Sequence, residues 1–309
     1  MTEASEPELP RGIALAWGVA ANPQRGPKRE MSVERIVEAA VEIADAEGLG
    51  AVSMAAVAAK LGFTPMSLYR YVTAKDDLIL LMQEEATGLP SDEVLAGGDW
   101  RERLMALYRE QVARYMRHPW VLEIAITGSP VTPNSAAWMD ASLAALADTP
   151  LSHADRLAVL LLVTGAARWT GIVLAGYQRA EREGAMSGDE ITVLEDGLFR
   201  TLITGDAYPH LREAIDAGVF LDEADPFAFG LERSLDGVAA YIQSVAEGRV
   251  VERSPFPVSG DAGIAADKKY REAQKAVRNA EKALRDARKL ERQAAREARD
   301  RLARQRPEA

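Results

Sequence analysis

Residues 53–75 read Ser-Met-Ala-Ala-Val-Ala-Ala-Lys-Leu-Gly-Phe-Thr-Pro-Met-Ser-Leu-Tyr-Arg-Tyr-Val-Thr-Ala-Lys. They predict two short helices broken by a glycine turn. Ser53 can cap the first through its side-chain oxygen; Val57 and Leu61 sit one turn apart on an inward stripe, and Gly62 can take the left-handed stop. A second helix starts almost at once. Thr64 is its N-cap, Pro65 suits the first position because its missing N–H would be unpaired there anyway, and the run ends near Tyr71. Such a helix is too short to stand alone. It must lie on partner helices, dividing Ser67, Tyr69, Arg70 and Tyr71 between that contact and an outward face.

A helix of this size fits the DNA major groove, with its first residues at base edges and flanking groups on phosphate. Thr73 is placed to cap a third helix with Asp76 three residues on, while Lys75 sits in that first turn, where the dipole disfavours a cation. A phosphate held by the free N–H groups and the Lys75 ammonium would resolve that conflict. Upstream, Arg25, Lys28 and Arg29 with Gly26 and Pro27 form a basic, extended arm able to follow the backbone or enter the minor groove. The same pattern also suits a plain helical hairpin with Tyr69 and Tyr71 as core aromatics. Glu30, Glu34, Glu38, Glu42, Asp45 and Glu47 line the preceding helix and would have to face away from a duplex.

The chain has 309 residues, 48% of them apolar, which suffices for a large core. Cysteine is absent, which excludes disulfides, thiolate metal sites and a cysteine nucleophile, and suits a reducing cytoplasm. The opening residues are acidic and proline-containing, unlike a basic signal sequence. The best apolar run, Leu157 to Val163, is soon followed by Arg168, so no membrane span is expected. His118, His153 and His210 lack partners at metal-ligand spacing, and no Ser, His and Asp set lies in a nucleophile context. No enzyme, cofactor or metal is expected.

From residue 100 to 248 apolar residues recur at three- and four-residue spacing, with no strand alternation. Helices are expected at about 100–117, presenting Leu104, Leu107, Tyr108, Gln111 and Tyr115; at 120–127; at 136–147, with Trp138 and Met139; at 153–182; and at 226–246. The long fourth one carries Gly165, Gly171 and Gly176, which weaken a helix unless close helix approach compensates. With Leu231, Leu235, Val238, Tyr241 and Ile242 of the last, it could form a four-helix core between two subunits, or an ordinary bundle within one.

Net charge is −10, yet fifteen Lys or Arg against eight Asp or Glu from residue 267 onward give that tail +7 and leave −17 on the remainder. Its Ala, Arg, Lys and Glu favour helix, and Tyr270, Val277 and Leu284 repeat every seven residues until Glu291 breaks the series. A solvated helix, a partner coil and a basic arm adding unspecific DNA affinity all fit.

The run from Met31 through Met82, with Ile36-Val37-Glu38-Ala39-Ala40, Ala46-Glu47-Gly48, Leu61-Gly62 and Ser67-Leu68-Tyr69-Arg70-Tyr71-Val72 before Lys75, resembles the N-terminal domain of TetR-type transcriptional regulators. The order of elements after it resembles the C-terminal domain of the tetracycline repressor. The resemblance implies Thr64, Pro65, Met66 and Ser67 at base-facing positions, Tyr69 and Tyr71 facing phosphate or groove, and Lys75 on phosphate. Ser53, Met54 and Arg70 complete the DNA-contact candidates with the arm residues. It further implies an effector cavity enclosed by the helices bearing Trp120, Trp138, Trp169, Tyr108, Tyr115 and Tyr177; the candidate ligand contacts are Leu107, Tyr108, Gln111, Tyr115, Ile126, Trp138, Met139, Ser142 and Trp169. Where the tetracycline repressor presents a histidine to magnesium–tetracycline this chain has Ile126, which points instead to an apolar or aromatic effector.

The expected protein is all-α. It comprises an extended basic arm (1–30), a three-helix helix-turn-helix DNA-binding domain (31–75), a helical-bundle ligand-binding and dimerisation domain (76–248), a linker (249–266) and a charged helical tail (267–309). The expected function is a homodimeric, ligand-released regulator, a repressor, on an inverted-repeat double-stranded operator. The alternative is a nucleoid-associated protein that binds DNA through its basic tail.

Overall fold

The computed structural model describes residues 9–19, 31–126, 131–184, 186–222, 224–249, 264 and 267–305, and every regular element among them is helical. The chain divides into two compact units, Met1–Val250 and Val251–Ala309.

The first unit opens with a helical head. Ser32 caps α2 (Val33–Glu47) by accepting from Arg35 N at 3.3 Å, and α2 buries Ile36, Val37, Ala40, Ile43 and Ala44 along one stripe. Ser53 caps α3 (Met54–Leu61) by accepting from Ala56 N at 3.1 Å. Gly62 then takes φ 77°, where a side chain would be strained, and Phe63 N donates back to Ala58 O at 2.8 Å, closing the helix end. Next come α4 (Pro65–Leu68) and α5 (Lys75–Thr87), packed with α2 and α3 around Val52, Val57, Leu68, Val72, Leu78 and Met82. The cap expected from Thr73 does not form. Ala74 is the N-cap of α5 and offers no side chain; the Thr73 hydroxyl donates to Asp77 Oδ2 at 3.0 Å instead.

The segment 1–30 is not wholly an extended arm. It contains α1 (Arg11–Ala16), docked on α5 so closely that a Cβ at Gly12 would stand 2.8 Å from Asp77 Oδ1. Trp17 Nε1 donates to Val131 O at 2.9 Å. Leu15 and Ala16 pack against the head core there, a pattern overshadowed by the prolines and acids around it.

The body follows as α6 (Asp92–Leu95), α7 (Trp100–Arg117), α8 (Pro133–Ala145), α9 (His153–Gly184), α10 (Gly188–Leu202), α11 (Pro209–Asp216) and α12 (Pro226–Ala246). A full capping box starts α7: Asp99 accepts from Glu102 N at 2.9 Å while Glu102 accepts from Asp99 N at 3.1 Å. Between α7 and α8, where a short α-helix over 120–127 is expected, the chain forms a 3₁₀ turn, Pro119–Glu123. Leu104, Leu107, Tyr108, Trp138, Val159, Val163 and Ala167 make the body core, joined by Leu231 and Leu235 of α12. Of the α12 stripe, Leu231 and Leu235 are buried in this core, with Val238, Tyr241 and Ile242 half-buried against it.

Of the α9 glycines, Gly171 is the one against a neighbour: its missing Cβ lets Tyr115 of α7 approach, and an added Cβ would lie 2.9 Å from Tyr115 Cδ2. Gly165 and Gly176 face open space. The most apolar 18-residue window of α9 has mean hydropathy 1.9, enough by length and composition for a membrane span, and a third of it is buried in the subunit. Arg168 interrupts that apolar run and donates to Leu122 O and Ile124 O. The second unit is α13 (Lys268–Gln305), a single helix of 38 residues.

Gly171→Ala is expected to force Tyr115 and the two helices apart and lower stability by roughly 1–3 kcal/mol. Thermal denaturation checks this; an unchanged melting temperature would show that the close approach carries no weight.

Candidate nucleic-acid interface and effector site

The head presents α4 by its side chains' placement. Leu68 and Val72 are fully buried, while Met66 is 73% and Tyr69 44% exposed, and Thr64, Pro65 and Arg70 are exposed beside them. The Ser67 hydroxyl donates to Thr64 O at 2.5 Å, tying the first turn together where the Thr64 side chain makes no backbone cap. Two thioether and phenol groups standing free next to a guanidinium suit a groove: apolar contact to base edges, with polar tips for phosphate. Tyr71 is half-buried against the head core, and so contributes packing as well as surface. Ser53 is exposed, but its hydroxyl is engaged as the α3 cap. Met54 cannot touch DNA as expected, being 7% exposed within the head core, because the α3 cap turns its side chain inward. Arg25, Lys28 and Arg29 lie outside the described residues.

Lys75 is exposed at the first position of α5, whose opening N–H groups have no side-chain cap. Asp76 and Asp77 share that turn, and Asp77 is occupied by Thr73. The acids of α2 are managed individually. Glu34, Glu38 and Glu47 are exposed, Glu42 pairs with Lys60 at 2.8 Å, and Asp45 turns toward the body.

Asp45 is a joint that sequence reasoning missed. Its Oδ1 accepts from Trp120 Nε1 at 2.7 Å and lies 2.8 Å from His118 Nδ1. Trp120, expected at the effector cavity, is therefore buried in the head core, where it couples α2 to the 3₁₀ turn. A single acid with two partners some seventy residues away leaves no local sequence signal. Arg168 of α9 holds the other side of the turn through the carbonyls of Leu122 and Ile124, at 3.0 and 3.1 Å. A second joint ties α5 to α8: Asn134 N donates to Glu84 Oε1 at 2.6 Å, Asn134 Nδ2 to Glu84 O at 2.9 Å, and Trp138 Nε1 to Gly88 O at 2.9 Å. Nearby, Glu110 accepts from Ser91 and Arg114. Burial alone would raise that carboxyl, but these bonds outweigh it and hold it below the ordinary range.

Of the expected ligand contacts, Leu107, Tyr108, Gln111, Trp138 and Ser142 come together as buried residues of α7 and α8, with Tyr115 and Met139 half-buried. The Tyr108 hydroxyl is 3.0 Å from Thr170 Oγ1, and burial pushes the phenol up, opposed by that bond. Burial likewise raises the Tyr115 phenol, against the pull of Arg168. Two candidates fall away: Ile126 is 73% and Trp169 60% exposed. Trp169 points out of the subunit because Ala166, Ala167 and Thr170 take the inward positions around it. With Leu162, Phe227 and Leu231 it lines a shallow groove of about 220 Å³ between α9 and α12. Tyr177 donates to Glu195 Oε2 at 2.9 Å, away from the other aromatics. No group of three or more His, Asp or Glu able to hold a metal ion occurs among the described residues.

A short exposed helix after a left-handed glycine, carried on a helical body, defines a helix-turn-helix regulator. Residues 36–82 match the model of bacterial regulatory proteins of the tetR family, and residues 94–242 match the tetracyclin repressor-like C-terminal domain. The HTH-type transcriptional repressor DrrR1 of Streptomyces coeruleorubidus is 33% identical over 238 residues, covering 76% of this chain and 87% of that protein. An HTH-type transcriptional regulator of Saccharopolyspora erythraea is 32% identical over 158 residues, 51% of this chain and 67% of the relative. In fold, apo ActR of Streptomyces coelicolor matches with a TM-score of 0.56 at 22% identity, over 71% of this chain and 100% of its own. The chain belongs to the TetR family of transcriptional regulators, with a tetracycline-repressor-like C-terminal domain. It is a regulator of transcription and not an enzyme.

Because Tyr69 and Lys75 are exposed and lie outside the head core, Tyr69→Ala and Lys75→Ala should each melt within about 0.5 kcal/mol of the parent. Gel shifts on the DNA upstream of its own gene should show weakened binding. Unchanged affinity would remove both residues from the interface.

Proposed function

We propose that this protein binds an inverted-repeat, double-stranded operator as a homodimer, represses transcription there, and lets go when a small apolar or aromatic effector enters the body. The observation that carries this is the α4 surface, with Met66, Tyr69 and Arg70 outward over buried Leu68 and Val72. A four-residue helix makes too few base contacts for useful specificity, so two copies related by a two-fold axis are needed.

Support for the dimer lies on α9. Leu161, Gly165, Trp169, Ile172 and Gly176 follow at helical spacing, all exposed, and the two glycines meet nothing in their own subunit. Such a row suits the close approach of the same helix from a second copy, with Phe229 of α12 exposed alongside. This also accounts for the apolar character of α9 without a membrane, and the proposed setting is the cytoplasm, where the DNA is.

The effector site proposed is the α7, α8 and α9 interior around Tyr108 and Thr170. Leu107, Tyr108 and Trp138 favour an apolar or aromatic guest, and Gln111 and Ser142 supply polar groups to orient it. A guest there must open the Tyr108–Thr170 bond, and Thr170 stands two residues from Arg168, which holds the 3₁₀ turn fixed to Asp45. An effector that prefers a shifted α9 therefore biases the position of α2, and with it the spacing of two heads on DNA.

Selection from a random duplex pool should enrich inverted repeats whose half-site centres lie about one helical turn, 34–36 Å, or a multiple apart. Trp169→Arg should give a monomer by sedimentation and lose that enrichment. Recovery of single half-sites by the parent protein would refute the dimeric reading. Asp45→Ala should cost about 1–3 kcal/mol, since it strips Trp120 Nε1 of its buried acceptor. It should also blunt the loss of operator affinity caused by a compound found in a thermal-shift screen; full retention of that response would place the signal on another route.

A further inference from the structure

Arg271, Lys275, Arg278, Lys282, Arg285 and Lys289 follow one another at alternating steps of four and three residues. That spacing stacks side chains on one face of a helix. Because α13 is helical throughout, the six form one exposed row, about 27 Å long at 1.5 Å per residue. Glu272, Glu281 and Asp286 occupy none of its positions, and none of the six side chains has an ion-pair partner among the described residues.

Within the row each neighbouring pair is a like-charge repulsion at i,i+3 or i,i+4, offset in part by Glu272, Glu281 and Asp286 at the same spacings beside it. An adjacent line of anions removes that penalty. The opposite face is a weaker candidate for docking: between Tyr270, Val277 and Leu284 it offers alanines, and Glu291 takes the next seam position. So thin a stripe anchors poorly in lipid and packs poorly as a coil. Duplex DNA presents one negative charge per about 1.7 Å of axis, a rod of anions matching a rod of cations. The remaining chain carries −17, so the tail is where attraction to such a rod is concentrated.

We infer that α13 is a second DNA-binding element whose cationic row grips phosphates of the duplex without reading sequence. That the head supplies the specific contact rests on the function proposed above. Head and row belong to one chain, so a duplex held by one is within reach of a tethered second contact. Two linked weak contacts then act as one stronger one.

The test compares the full chain with a Lys275→Gln, Arg278→Gln, Lys282→Gln, Arg285→Gln variant on a random-sequence duplex, by fluorescence anisotropy across a salt series. The variant should bind at least tenfold more weakly at low salt, and its slope of log K against log salt should be shallower by about 3–4, near 0.9 for each phosphate no longer neutralised. A charge-keeping Lys275→Arg, Lys282→Arg variant should retain the parent slope, which separates lost charge from lost folding. A Tyr69→Ala, Lys75→Ala protein should lose operator preference yet keep the tail-dependent part of the slope, so failure of the head and failure of the tail are told apart. Equal slopes for the parent and the Gln variant would overturn the inference. So would an equal loss of duplex binding in Val277→Ser, Leu284→Ser, which spares the row, or binding of the parent to phosphatidylserine vesicles and not to the duplex.

Discussion

A reading helix of four residues has no stability of its own, and everything else in the head exists to hold it. One turn of helix closes too few hydrogen bonds to offset the dihedrals it fixes. The burial of Leu68 and Val72 against α2, α3 and α5 supplies what the backbone cannot. The left-handed Gly62 sets the angle at which α4 leaves α3, and Pro65 begins it without wasting a donor. Met66, Tyr69 and Arg70 then stand outward by geometry, since each is displaced around the helix from the buried pair.

The same economy places the head on the body. One acid, Asp45, faces the body from a helix whose other acids remain in water or pair within the head, and it is matched by two donors of the α7 end and the following turn. Arg168 of α9 and Asp45 of α2 hold that turn from two sides, one through its carbonyls and the other through the His118 and Trp120 rings. The turn is thereby an intermediary between the helix that would sense a guest and the helix that orients the reader. The Glu84 and Trp138 bonds keep the end of α5 fixed on α8, giving the head a second anchor.

Charge is partitioned along the chain in a way that serves one acidic polymer partner without a basic body. The acidic middle repels phosphate, which leaves attraction to local groups of cations. Exposed cations include Arg70 and Lys75 in the head and the row on α13. The matched C-terminal domain ends at residue 242, and the tail has its own physical logic: regular helical spacing of cations on one side and alanine on the other.

The helix pair of the reader, the helices at 100–117 and 226–246, and the small-residue character of the long helix were all legible, because caps, prolines and three-four spacing are local signals. Helices α10 and α11 were given no range of their own, although their apolar residues recur at helical spacing. α1 was hidden because six residues cannot announce a helix that is held by docking on α5. The amino-acid order thus determined the two short helices of the reader, the main body helices and which short helix faces outward. Tertiary packing decided that Met54 and Trp120 are buried, that Trp169 faces out, and that Asp45 joins head to body, because a side chain's direction depends on which neighbour reaches it first, and neighbours distant in sequence leave no mark on local periodicity.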